Sequence, residues 1–430
     1  MRRRTAAVMA TILAATLGAT PVLADELSVF NSKSEIEEQM EDMASDYSDE
    51  NDVDMEVYYS QDTVAAHLST KYASKDPYVL SMVDAKDIYS LGPDHALDLS
   101  DQPWVKDSNQ IISIDGKVMG FPVCIEARGV IYNADAIKKI TGEDFDPASV
   151  KTLDDFDALC QKLVDGGMEA PTGIMKEDWS LAAHYLQEVY EEREDPSGFI
   201  KGLHDGTVDL AKDEKFNSLM DTFDVLMKYN YAKDAPIAAE RETTEQKLAE
   251  GEIAFMFGGN WDWSVINAYD YSENMGMMPV PQNTDDGSNE KLVGGGSKYF
   301  FIDNSVSEDL QKQAKDWLNW LVNSDDGKDF LVNTCALVPA FKTNTLDVSD
   351  PLGKSVKSYA DDDKLIANYN YDPDDHYSVC GASMQKYLAG EIDRAELAKE
   401  VETYWQGATL ADPAVAGGAA AGTEAATEAE

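Results

Sequence analysis

The chain has 430 residues, too many for one ordinary core, so two lobes are expected. Lys and Arg number 35 against 81 Asp and Glu, a formal net charge of −46. This excludes nucleic acid, whose phosphates demand basic residues, and anionic membrane surfaces, and it suits a soluble protein that takes a neutral ligand.

Residues 1–24 read as an export signal. Arg2, Arg3 and Arg4 form its charged region, Ala6 to Leu17 its apolar stretch, and Val22-Leu23-Ala24 its cleavage site. No cysteine lies near that site, so no lipid-attachment point is evident. The mature protein is expected to be exported, to the periplasm or the cell surface, and to work as a monomer.

The mature chain opens with a strand, Leu27 to Phe30, then a helix with Ser34 and Glu37 as a capping box and Ile36, Met40, Met43 and Tyr47 on one face. A strand over Met55 to Tyr59, a helix near 62–74 and a strand over Tyr78 to Val83 follow. This βαβαβ alternation predicts a parallel, doubly wound sheet, whose ligands bind at the carboxyl ends of its strands. Asn31, Ser32, Lys33, Gln61, Asp62 and Asp84 occupy those ends. Lys117 to Pro122 leads into an extended run, Val123 to Tyr132. Leu153, Phe156, Leu159, Cys160 and Leu163 share a helix face that Gly166-Gly167 closes, and 178–231 reads as further helix.

Residues 248–263 are the most informative. A helix, with Thr243 and Gln246 as its capping box, ends at Gly251; an apolar strand, Ile253 to Phe257, follows; then come Gly258, Gly259, Asn260, Trp261 and Trp263. Two glycines after a buried strand allow close approach to a ligand, and tryptophan offers the flat apolar face and single donor that suit a sugar ring. A βα turn whose tryptophans fill the core is the competing reading. Met277 to Pro281 is a short exit segment and Asn283 to Glu290 a polar loop. Gly294-Gly295-Gly296-Ser297 leads into a strand over Tyr299 to Ile302. Leu310, Ala314, Trp317, Leu318 and Leu321 mark an amphipathic helix in which Trp317 and Trp320 read as core. A last helix begins at Asp393 with Glu396 completing its cap, and 413–430 reads as a disordered tail. Cys124, Cys160, Cys335 and Cys380 permit disulfides but lack metal spacing. Cys160 is expected as a buried thiol, and Cys335–Cys380 as the pair if any forms.

Enzyme signatures are scarce. No GxGxxG, no phosphate-binding loop and no HExxH is present, and His67, His95, His184, His204 and His376 have no partners at ligand spacing. Ser288 and Lys291 make an SxxK in a loop, where a β-lactamase-like site needs a helix start. Among 81 acidic residues, carboxylate pairs of glycosidase type carry almost no information. No cofactor and no metal is expected.

Several segments resemble the family 1 extracellular solute-binding proteins, the carbohydrate receptors of ABC transporters. Gly116 to Pro122 is similar to the family's GKxYGxP, Gly129 to Asn133 to its GLxYNKD, and Thr152 to Phe156 to its TWDEF. Gly251 to Trp261 resembles GKAAMxxxGSW, with Asn260 where serine is common and Trp263 as an added aromatic. Gly295 to Ile302, the helix that follows, Val338-Pro339-Ala340 and Met384 to Gly390 continue the resemblance in order. The resemblance implies an α/β fold of the type II periplasmic-binding-protein kind: two lobes, each a mostly parallel sheet flanked by helices, with hinge crossovers between them. Residues 25–124 and 291–338 would form one lobe, and 127–283 and 341–412 the other. It also implies sugar bound between the lobes, closure about the hinge and delivery to permease subunits of an ABC transporter.

Trp261 is the first candidate platform, with Trp263 and Trp179 beside it and Asn260 between the glycines and the ring. Glu126 and Arg128 lie at the first crossover, where they bond sugar hydroxyls or form a hinge salt bridge. Asn31, Lys33 and Glu35 follow the first strand; Glu35 binds ligand or serves the helix start. Asp62 and Asp84 bind ligand or cap helices. Gly295, Gly296 and Ser297 bring backbone to the ligand or form a plain turn. These residue types fix hydroxyl geometry through charge-assisted or bidentate bonds. The competing functions are an exported carbohydrate-active enzyme and a receptor for a non-sugar solute such as a polyamine or metal complex.

Overall fold

The computed structural model describes residues 26–60 and 62–416. The expected export signal, Gln61 and the tail after Ala416 lie outside the described residues; Pro413–Ala416 form a short helix. The first lobe is built on β1 (Leu27–Phe30), β2 (Met55–Tyr58), β3 (Leu80–Asp84), β4 (Ile112–Ile114) and β5 (Lys117–Pro122). The second contains β6 (Cys124–Asn133), β7 (Thr172–Gly173), β8 (Phe255–Gly259), β9 (Met275–Met278) and β10 (Leu292–Gly296). β11 (Lys298–Ile302) returns to the first sheet, and β12 (Val338–Pro339) and β13 (Leu365–Ile366) belong to the second. The first sheet runs β2-β1-β3-β11-β5-β4; the second runs β13-β10-β6-β8-β7, with β9 and β12 also pairing β6.

Both sheets are mixed rather than mostly parallel. β2, β1 and β3 are parallel, as the βαβαβ pattern predicts. β3 runs toward the space between the lobes and ends there at Asp84. β11 enters from the other lobe and runs away from that space, so it pairs antiparallel to β3. β5 then leaves toward the second lobe, antiparallel to β11. The crossovers thus dictate strand direction.

They also lie side by side. Val123 N donates to Lys298 O at 2.8 Å, and Ser297 N to Cys124 O at 3.2 Å. On the other flank Val338 pairs with Ile125 and Pro339 with Cys124. β10 pairs with β6 through Gly296, so the chain stays with the second sheet past residue 291 and returns at Ser297. The glycines of β10 are ladder residues rather than a turn. A Cβ at Gly294 would meet Glu126 O at 2.4 Å, so a side chain there would part the two strands.

Three local expectations change. Ser34 lies inside a short 3-10 turn, Ser34–Ile36, and the helix proper begins at Glu37, so no capping box forms. The helix before β8 spans Arg241–Ala249, which puts Thr243 in its interior. β8 begins at Phe255 and runs through Gly258 and Gly259, which pair with Gly129 and Arg128. The Asp393 and Glu396 cap forms as expected. Trp317 is fully buried against Phe300, with ring centroids 5.0 Å apart, and Trp320 packs edge-on to Tyr47. Both are core.

All four cysteines are free and buried. Cys335 sits in the core beside the third crossover and Cys380 in a separate core of the second lobe, so the Cys335–Cys380 bond does not form. Burial pushes the Cys124 thiol up to about 12 and raises the other three as well. The thiolate is the reactive form, so native reactivity is low. Thiol titration is expected to find four groups in denaturant and next to none on the same timescale in the native protein.

Candidate functional site

A cavity of about 500 Å³ lies between the lobes, over β6 and β10. From the first lobe it is lined by the turn after β1, the end of β3 with the start of the next helix, and Lys298 of β11. From the second it is lined by β6, Trp261, the helical segment 179–191, Arg241 and the stretch 368–372.

The turn after β1 is fixed by Asn31. Its Oδ1 accepts from Lys33 N at 2.7 Å, and its Nδ2 donates to Lys33 O at 3.1 Å. This aims Lys33 across the boundary between the lobes to β6, where Nζ donates to Glu126 Oε1 at 2.7 Å. Burial opposes both charges, but the two partners outweigh it: Lys33 is held well above its ordinary value, and Glu126 below the usual carboxylate range. Glu126 and Arg128, two apart on β6, share a strand face. Arg128 is 5% exposed and pairs with Glu191, while its Nη1 donates to Asn368 Oδ1 at 2.9 Å.

Trp261 sits where it does because of the residues around it. Asp262 folds back so that its Oδ2 accepts from Gly259 N at 3.0 Å. A Cβ at Gly258 would meet that carboxylate at 2.1 Å, and one at Gly259 would meet the Trp261 ring at 2.3 Å. The two glycines therefore make room for Asp262 and the indole, not for a ligand against the backbone. On the cavity side the indole lies 4.6 Å from the His184 ring, centroid to centroid, and Trp179 meets His184 edge-on at 5.3 Å. Trp179 and His184 are five residues apart on a π-helical stretch, Trp179–Leu186, whose wide turn brings them together. The Arg241 guanidinium stands 5.3 Å from the Trp179 ring and bonds Glu245 at 2.8 Å and Asp262 at 3.0 Å.

The lining is charge-compensated. Its five cations, Lys33, Lys86, Arg128, Arg241 and Lys298, each have a carboxylate partner; Lys298 pairs with Asp84 at 2.6 Å and Lys86 with Asp374 at 3.3 Å. Burial, with Arg128 nearby, holds the His184 imidazole down to about 3, so the ring is neutral at physiological pH. Against this neutral background several buried polar atoms of the wall have no hydrogen-bond partner among the described residues: Trp261 Nε1, His184 Nδ1, Gln187 Oε1 and Asp372 Oδ1. The wall thus offers donors and acceptors without net charge, beside an aromatic face.

Nine sequence candidates meet at the cavity: Trp261, Trp179, Glu126, Arg128, Lys33, Glu35, Asp84, Gly296 and Ser297. Five do not line it; one is Gly295, held in the ladder opposite Glu126. Trp263 turns into the core, 9% exposed, and packs edge-on to Tyr271. Asn260 is spent on Ala127 N, to which its Oδ1 is bonded at 3.0 Å. Asn31 is buried under the turn that it fixes. Asp62 is exposed beyond the end of β2 and away from the lining. Sequence reasoning missed His184, Gln187, Arg241, Lys298 and the 368–372 stretch. Lys298 directly follows the glycine-serine run, which is a usable signal. His184 is hidden because five-residue spacing is not a helical period.

The two sheets, three crossovers and intervening cleft define a two-lobed receptor fold. The sequence pattern described as bacterial extracellular solute-binding protein matches residues 42–361. The chain belongs to that family. No curated protein matches it. Among solved structures it is similar to a family 1 extracellular solute-binding protein from Bifidobacterium longum subsp. infantis, at 21% identity over 88% of this chain and 98% of that one, TM-score 0.64. The binding protein RafE in complex with raffinose shares 16% identity over 89% and 98%, TM-score 0.72. A sugar transporter protein of Bacillus licheniformis in complex with stachyose shares 18% over 89% and 99%, TM-score 0.67.

Gly259 tests the platform geometry. Its φ of −137° suits any residue, so the strain of Gly259→Ala lies in the Trp261 ring, which its Cβ meets first. The indole is expected to leave its position at a cost of about 1–3 kcal/mol, as overpacking gives. Near-ultraviolet circular dichroism and denaturant melts read both effects.

Proposed function

We propose that the chain captures a carbohydrate, an oligosaccharide by the company it keeps, in the interlobe cleft and delivers it to the permease of an ABC transporter. The observation that carries this reading is Trp261: a half-exposed indole with an unpartnered Nε1, set among polar groups whose charges already cancel. A sugar offers an apolar C–H face and many hydroxyls but no charge, and such a wall matches it. A polyamine needs uncommitted carboxylates, whereas Glu126, Asp84 and Glu191 are committed to cations. The raffinose and stachyose held by the similar structures support the same class. The reading includes export by residues 1–24, a monomer, and no catalysis. Trp261, Trp179, Lys33, Glu35, Asp84, Glu126, Arg128, Gly296 and Ser297 are its binding set, with His184, Gln187 and Asp372 added. Its lobes are 26–122 with 298–335, and 124–296 with 338–412.

The physical mechanism requires only differential affinity. A sugar that touches both lobes does so fully when they are closed, and binding then shifts the population to the closed form that a transporter reads. Calorimetry against raffinose, stachyose, maltose, a chitin oligosaccharide and spermidine tests the reading, with chromatography of the sugar afterwards. Sugar bound and recovered intact supports a receptor; sugar cleaved makes the chain an enzyme; spermidine bound alone overturns the class. Trp261→Ala is expected to weaken sugar binding by about tenfold or more, at least ~1.4 kcal/mol. Unchanged affinity would move the site elsewhere.

A further inference from the structure

The inner end of the cleft holds more acid than base. Glu188, Glu191 and Glu192 gather with Asp372 around two cations, Arg128 and Lys215. Glu188 and Glu191 are at most 2% exposed, and Arg128 is 5% exposed. Arg128 is committed to Glu191, and Lys215 to Glu192 at 2.9 Å and Asp286 at 2.7 Å. Four carboxyls sharing two cations away from water cannot all ionise. Burial, then Glu191, push the Asp372 acid up to about 8. Burial pushes Glu191 up to about 7 against the pull of Arg128, and burial with Glu192 takes Glu188 well above the carboxylate range.

The hydrogen bonds say which oxygen holds the proton. Asp372 Oδ2 accepts from Gln187 Nε2 at 2.5 Å. With Oδ2 so engaged, Oδ1, which is buried and without a hydrogen-bond partner, is the oxygen left for the proton of the acid form. Gln187 is 3% exposed, and its Oε1 is also unpartnered. Both residues line the cavity. A free acceptor and a free donor thus belong to two side chains joined by one hydrogen bond. Glu191 also changes charge near neutral pH, which makes Asp372→Asn the necessary control; the remaining groups facing Asp372 do not. Tyr190, Tyr369, Tyr404 and Cys380, from its own stretch and the helices behind it, are raised by burial and uncharged. Lys86, from the first lobe, and Arg128 each have a carboxylate partner.

We propose that Gln187 and Asp372 act as one acceptor–donor pair that grips a vicinal diol of the ligand, with the Asp372 carboxyl working in its acid form. This rests on the carbohydrate reading above. A diol has one hydroxyl to donate to Gln187 Oε1 and another to accept from Asp372 Oδ1–H. Below about pH 8 the pair is complete; as pH rises through that value the donor is lost and two acceptors remain. Sugar affinity is then expected to fall with rising pH, the direction set by a raised acid.

The test titrates the full-length protein with raffinose, stachyose, maltose and a chitin oligosaccharide at about pH 6 and about pH 9.5. For whichever sugar binds, affinity is expected to drop about fivefold or more at the higher pH. Asp372→Asn, which keeps a donor at every pH, is expected to bind with a flat profile, and Gln187→Leu to lose about tenfold at both pH values. Carboxyl carbon shifts of the ligand-free native protein are expected to show Asp372 titrating near pH 8. Sugar binding that is flat with pH, or an Asp372 midpoint near that of a free carboxylate, overturns this inference and leaves the receptor reading standing. Binding of none of the sugars at either pH overturns the receptor reading, and this inference with it.

Discussion

Everything in this molecule is arranged around one packed junction. The first crossover, at Cys124 and Ile125, is flanked by Ser297 on one side and by Val338 and Pro339 on the other, all joined as sheet. Because the three passages are hydrogen-bonded to one another, they form one rod of sheet between the lobes rather than loose linkers. That rod decides the direction of β11 and β5 in the first sheet. It also places Glu126 and Gly296 on the floor of the cleft. The Lys33–Glu126 pair ties the first lobe to this floor. Groups that would cost much free energy to bury alone are kept charged there by each other.

The charge arithmetic of the chain and of its cleft differ. The whole chain stands at −46, yet the cleft pairs every lining cation with a carboxylate. A strongly negative exterior keeps the protein soluble and off anionic polymers, while a balanced interior lets an uncharged ligand enter without meeting a large field. The two scales are independent because surface charge is screened over about 8–10 Å of physiological salt water, while buried pairs are screened much less. Net charge therefore spoke to partners and surroundings and was silent about the site.

What could be read from the sequence follows the same division. Local periodicity marked β1 to β3, the helices that join them and the amphipathic helix around Trp317, because burial on one face leaves a regular trace. Trp261 was legible because a glycine pair ahead of an aromatic is unusual in a buried strand. The directions of β10 and β11 were not legible, since they depend on which lobe the chain comes from. The role of Gly258 and Gly259 was misread: they make way for Asp262 and the indole. Trp261 and Trp263, alike as letters, were separated only by the short turn between them, which sends one ring to the cleft and the other to the core. Gln187 and Asp372 lie 185 residues apart, and no local pattern links them. Only the packing of the 368–372 stretch across the helical segment does.

The π-helical stretch from Trp179 to Leu186 carries a consequence of its own. An ordinary helix turns about 100° per residue, and a π turn absorbs one residue more than an α turn. That surplus residue sets the phase between the aromatic part of the cleft wall, Trp179 and His184, and the polar part, Gln187 and Glu191. A single-residue deletion there would swing the aromatic rings about 100° out of phase with the amides and acids, and would turn buried neighbours such as Leu181 and Ala182 with them. The fold thus ties the phase of this cleft wall to the same extra residue that sets the packing beneath it.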